Sequence, residues 1–113
     1  MTIATYSQEK NWTYYDNAQG RDVYYKIYSK NIVWIKDIYK TDEFILKDKI
    51  VRKIVTLYKV DCDGERMGAL KIMYYDDNGK LLVNDIFEDG YNFVWEDVVA
   101  GTFEANNFKI LCN

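Results

Sequence analysis

Hydrophobic and polar residues alternate with a period of two along most of this chain, the pattern of strands that bury one face more than the other. Asp22 to Ser29 sets Val23, Tyr25 and Ile27 on one side and Tyr24, Lys26 and Tyr28 on the other. After a short Ser29-Lys30-Asn31 turn, Asn31 to Tyr39 sets Ile32, Trp34 and Ile38 against Val33, Ile35 and Tyr39, so the two runs form an antiparallel hairpin. Lys53 to Cys62 repeats the alternation, with Ile54, Thr56, Tyr58, Val60 and Cys62 facing one way and Val55, Leu57 and Lys59 the other. Asp63-Gly64 is a turn signal, and Arg66 to Asp76 is the next strand, in which Gly68 marks a bulge. Asp77-Asn78-Gly79 is a strong hairpin signal, because Asn-Gly supplies the positive φ values of tight turns, and Lys80 to Glu88 continues as a further strand. Upstream, the aromatic run Trp12 to Tyr15 is a short strand, and Asp16 to Gly20 has the residue types of a loop.

Two regions depart from period two. Thr41 to Val51 runs from acids through Phe44, Ile45 and Leu46 to Lys47-Asp48-Lys49, and fits either a short helical turn or a surface loop. Near the C-terminus, Gly101-Thr102-Phe103-Glu104 has the form of a helix start, with Thr102 as N-cap and Glu104 near the positive end of the dipole. Phe103, Ile110 and Leu111 then share one helical face, with Ala105, Phe108 and Cys112 close beside it. The expected fold class is α+β, mainly β: about six antiparallel strands in a meander, with a C-terminal helix on one face. The length of 113 residues suits a single domain spanning 1–113, with the weakly patterned residues 1–11 expected to be flexible, the alternative for 1–10 being part of a first edge element.

Composition narrows the chemistry. There is no histidine, which removes imidazole bases and imidazole metal ligands. There is no proline either, while aromatics reach 17% and eleven are tyrosines, an excess that suits strands and broad amphipathic surfaces. Fifteen basic residues are scattered among eighteen acidic ones, for a net charge of −3, which argues against a nucleic-acid partner. No stretch is apolar for the roughly 20 residues a membrane span needs. Met1-Thr2-Ile3-Ala4 lacks a basic segment followed by an apolar one, so export would require a signal segment outside this sequence.

Two acidic clusters, Asp61/Asp63/Glu65 around Gly64 and Asp76/Asp77/Asn78 before Gly79, have neither the glycine nor the glutamate spacing of a calcium loop, and read as turns rather than a metal site. Carboxylate pairs such as Glu96/Asp97 or Asp85/Glu88 are too common here to single out a glycosidase centre, and no nucleophile has a visible base. No enzyme activity, metal or cofactor is expected. Cys62 and Cys112, fifty positions apart, lack metal-ligand spacing and lie in no C-x-x-C pair. They are either a disulfide or two buried free thiols; as a disulfide they would pin the terminal helix across the sheet. Because strand faces alternate, part of the tyrosine set must face away from the helix, and Tyr24, Tyr28, Tyr39 and Tyr75 are the candidate protein-binding aromatics.

The order Val23-Tyr24-Tyr25, Val33-Trp34-Ile35-Lys36, Tyr58-Lys59-Val60-Asp61-Cys62, Tyr74-Tyr75-Asp76-Asp77-Asn78-Gly79, Trp95, Gly101-Thr102 and Cys112 resembles the surface-adhesin protein E family of Gram-negative bacteria, over roughly residues 12–112. The resemblance implies an antiparallel sheet whose C-terminal helix is held by a Cys62–Cys112 disulfide. It also implies export to the periplasm or outer-membrane surface, lipid anchoring through a removed N-terminal segment, and binding of host matrix or serum proteins such as laminin and vitronectin. The chain departs from the family at Ala100, where a proline is usual, and in having no N-terminal lipidation cysteine. The leading expectation is thus an exported, adhesin-like protein-binding domain that can also form a homodimer. The alternatives are a periplasmic inhibitor or immunity-type protein that offers Asp61 to Glu65 or Asp76 to Asn78 to an enzyme, and, last, a small enzyme or ligand-binding domain.

Overall fold

The computed structural model describes residues 11–18, 20–100 and 103–112. The strands are β1 (Thr13–Ala18), β2 (Arg21–Ser29), β3 (Ile32–Tyr39), β4 (Ile45–Leu46), β5 (Lys49–Asp61), β6 (Arg66–Asp76), β7 (Leu81–Ile86) and β8 (Glu96–Asp97), followed by the helix α1 (Phe103–Cys112). Six of them form the antiparallel meander β1-β2-β3-β5-β6-β7; β4 pairs only with the start of β5, and β8 with the start of β6. Residues 1–10 of the stretch expected to be flexible, the Thr102 cap and the side chains of Phe103 and Glu104 lie outside the described residues.

Partners in register share a face, which sorts every strand residue to one of two sides. Val23, Val33, Ile35, Val60 and Met67 form a fully buried cluster on one side. Phe108, Ile110, Leu111 and Cys112 of α1 pack on this cluster, together with Tyr15, Tyr25, Tyr58 and Val98. Each such aliphatic side chain contributes about 2 kcal/mol by leaving water. A ten-residue helix is too short to persist alone. Its last residue is joined to the end of β5 by the Cys62–Cys112 disulfide, with Cα atoms 5.3 Å apart.

The turns follow their side chains. Asp76 accepts hydrogen bonds from the backbone N–H of Asn78 and Lys80, and Gly79 takes φ +85°, closing the β6–β7 hairpin. Asp61 accepts from Gly64 N–H and from the Arg66 guanidinium, so one member of each acidic cluster is spent on its turn.

Three expectations need correction. Residues 41–51 are neither helix nor loop throughout: Lys47 and Asp48 both adopt positive φ (52° and 63°) and fold Ile45–Leu46 back on Lys49–Ile50, a two-residue hairpin without glycine. Arg52 holds this corner. It is the extra residue of a bulge between Val51 and Lys53, and its guanidinium donates to the carbonyls of Tyr39 and Thr41 and to the Asp42 carboxylate. The strand expected from Lys53 therefore starts at Lys49. Asp16, Asn17 and Ala18 belong to β1 rather than a loop, because they pair with Val23, Asp22 and Arg21 of β2. Finally, the β6 bulge falls at Leu70, skipped between the Leu57–Lys71 and Tyr58–Ala69 pairs, whereas Gly68 pairs regularly with Lys59. Gly68 is small for another reason: a Cβ there would lie 2.5 Å from the Val94 carbonyl oxygen and 2.6 Å from the Phe93 ring.

Two outcomes are expected. Replacing Cys62 and Cys112 by serine should lower denaturant stability by about 4 kcal/mol on the chain-entropy model of a 50-residue closure, and a loss under about 1 kcal/mol would contradict the pinning role. Gly68→Ala should cost about 1–3 kcal/mol by driving the 93–94 backbone off the sheet, read as a lowered melting temperature with the far-ultraviolet circular dichroism retained.

Candidate functional site

The side of the sheet opposite α1 is built from the alternate residues of the same strands. One row across it runs Lys26, Trp34, Leu57, Lys71, Ile86 from β2 to β7. The next runs Tyr14, Tyr24, Lys36, Val55, Met73, Asn84, and the third Asp22, Ile38, Lys53, Tyr75, Leu81. The face is thus a lattice of aromatic and aliphatic surface with an ammonium in every row.

The lysines do not project freely from it. Lys36 is buried, its Nζ 4.5 Å from the centre of the Trp12 ring and 5.1 Å from that of Tyr24. Lys26 stands 5.0 Å from Trp12, and Lys53 lies 4.4 Å from the ring it faces, Tyr75. A cation over an aromatic face gains about 0.5–2 kcal/mol, and its alkyl stem covers apolar surface meanwhile. Tyr14 meets Tyr24 edge to face at 5.5 Å and keeps half its surface exposed.

One end of this face carries a second aromatic-cationic group. After β7, the Asn92 side chain accepts from Glu88 N–H and donates to the Ile86 carbonyl, and Gly90 takes φ +82°, so the chain turns back tightly. It lays Phe93 on Gly68 and brings Trp95 edge to face with Phe93 at 5.0 Å. The Arg66 guanidinium sits 4.6 Å from the Trp95 ring centre while it donates to Asp61. That hydrogen bond, then the bond from Gly64 N–H, holds the Asp61 carboxyl below its ordinary range. Lys59 pairs with Asp89 at 3.0 Å.

Of the four candidate tyrosines, Tyr24 and Tyr75 lie on this face. Tyr28 is the extra residue of a bulge at the end of β2, 65% exposed and apart from them. Tyr39 faces the helix side. Its hydroxyl accepts from the Arg21 guanidinium at 2.7 Å, and its ring meets Phe44 edge to face at 5.4 Å, with Phe44 in turn against Tyr74. The lysines escape a reading of the sequence, where they look scattered. Their signal is the spacing Tyr24-x-Lys26, Trp34-x-Lys36 and Lys71-x-Met73-x-Tyr75, which puts cation and ring on the same side.

Beside Tyr39, Asp37 is buried with Arg21 at 3.7 Å, too far for a hydrogen bond to its Oδ1 among the described residues. Burial pushes the Asp37 carboxyl up to about 6, and the Arg21 charge offsets only part of that. Burial likewise raises the Tyr39 hydroxyl against the pull of Arg21. With a folded value above the unfolded one, near 3.8, the native state binds the extra proton between the two. The Asp37 contribution therefore favours folding at low pH and is lost as pH rises from about 4 to about 6. A carboxyl resonance of Asp37 titrating near 6 is expected, together with a flatter dependence of stability on pH over that window in Asp37→Asn. A titration near 4 with an unchanged slope would contradict it.

Among the described residues, no group of three or more acidic or cysteine side chains is arranged to hold a metal, and no helix is long and apolar enough to cross a membrane. Neither a curated protein nor a solved structure gave a match to the chain. The sequence model of one family does match it, over residues 2–113, and the arrangement that this family's motifs imply, an antiparallel sheet with its terminal helix tied by Cys62–Cys112, is the one the structure adopts. The chain belongs to the surface-adhesin protein E family and is an adhesin-like surface protein.

Proposed function

We propose that this chain is an exported, non-enzymatic binding domain that engages a host protein of the extracellular matrix or serum, such as laminin or vitronectin, through the sheet face opposite α1. Membership in a surface-adhesin family supports the class of function. The observation that carries the choice of surface is the aromatic lattice of Tyr14, Tyr24, Trp34 and Tyr75 on the side that α1 leaves uncovered. Tyrosine and tryptophan bring large contact area at small cost in side-chain entropy, and they dominate the energetics of protein interfaces. The rings here are held beforehand by neighbouring ammonium groups, which reduces what ordering costs on association.

Surface plasmon resonance against immobilised laminin and vitronectin tests this reading. Saturable binding is expected, with Tyr24→Ala and Tyr75→Ala each weakening it by about tenfold or more and Tyr28→Ala changing it little. Absence of saturable binding to either protein, or full binding by the Tyr24 and Tyr75 variants, would overturn it.

A further inference from the structure

The ion pairs among the described residues involve Arg21, Lys40, Arg52, Lys59 and Arg66, and none of them uses Lys26, Lys53 or Lys71. These three lie on one side of the sheet in a protein whose net charge is −3. Lys26 and Lys71 stand in a single register row with Trp34 and Leu57 between them. At about 4.8 Å per strand, their backbones are about 14 Å apart. Lys53 occupies the next row but one, beside Tyr75. The pattern is a triangle of positive charge around the half-buried Trp34 and Leu57, with Lys36 and Val55 of the middle row buried beneath it. A small anion would touch one corner only.

We infer that this face binds a sulfated polysaccharide of the heparin type. Such a chain carries anionic groups at fixed repeats over a distance that can meet Lys26 and Lys71 together. The apolar faces of its sugar rings can lie on Trp34 and Tyr75. Each ammonium that replaces a counterion on the chain adds to affinity through ion release. An acidic polypeptide fits less well: the middle of a sheet face offers no free backbone for strand addition, so a flexible chain would be ordered by side-chain charges alone. For a surface protein, extracellular glycan is also the polyanion within reach. This ligand is separate from the protein partner proposed above and is tested without any protein ligand, so either reading can fail alone.

Titration calorimetry of the full chain with a sulfated heparin oligosaccharide, over a series of salt concentrations, is the test. The triple variant Lys26→Gln/Lys53→Gln/Lys71→Gln should bind about tenfold or more weakly, with the slope of log affinity against log salt reduced by roughly two to three. The corresponding Lys→Arg triple variant, which keeps the charges, should retain binding. So should glutamine substitutions at the exposed turn lysines Lys30, Lys47 and Lys80. If the first triple variant fails to melt cooperatively, Lys71→Gln alone is used, since it removes none of the cation–ring contacts of this face, and it should reduce both affinity and salt slope. No binding, equal binding of the desulfated oligosaccharide, an equal loss at the turn lysines, or equal binding of polyglutamate or an oligodeoxynucleotide would each overturn the inference.

Discussion

The covalent tie between the end of β5 and the last residue of α1 is the constraint on which the two-sided organisation of this protein depends. A helix of ten residues has little stability of its own, and the apolar cluster of Val23, Val33, Ile35, Val60 and Met67 is small. With Cys112 bonded to Cys62, the helix need not be recruited from a free tail; it is already beside the cluster, and Phe108, Ile110 and Leu111 complete the packing. The entropy removed from the unfolded chain is comparable to a large share of the stability of a domain this size. One side of the sheet is thereby assigned to the core. The other carries the aromatic and lysine rows, with Lys36 and Val55 buried at their middle.

That second side shows how a strand protein can be polar and aromatic at once. Lys36 is buried without being an uncompensated charge in an apolar medium, because the faces of Trp12 and Tyr24 lie against it. Burying Asp37, on the helix side, is a different case: its arginine stands 3.7 Å away, and the carboxyl responds by holding its proton to higher pH. The end of the lattice is closed by the 87–98 segment. Its course is set by the Asn92 and Gly90 turn, and its close contact is possible only because residue 68 has no side chain.

Much of the fold is legible in the sequence. The faces of β2, β3 and β5 follow from strict alternation, since a slip of one residue would send Val23, Val33 and Ile35 into water. Asn78-Gly79 marks its hairpin, and Cys112 falls near the apolar side of a recognisable helix. The hairpin at Lys47-Asp48 is not legible, because its two positive φ values are taken by residues that rarely adopt them, and the contacts that hold the corner come from Arg52, beyond the turn itself. Gly68 suggests a backbone irregularity, yet its meaning lies in a contact with Phe93 and Val94, far along the chain. On the candidate surface, Tyr24 and Tyr75 emerge from the abundance of aromatics and the alternation of strand faces. The lysines between them do not, because charge that looks evenly mixed along the chain is sorted by strand register into one face.

The most direct test of the tether is amide hydrogen exchange of the oxidised and the reduced protein, resolved by peptide. Reduction should abolish protection across α1 while the paired middle of β3, β5 and β6 keeps most of its own. Protection of α1 that survives reduction unchanged would show that packing alone holds the helix, and would contradict the pinning role of Cys62 and Cys112.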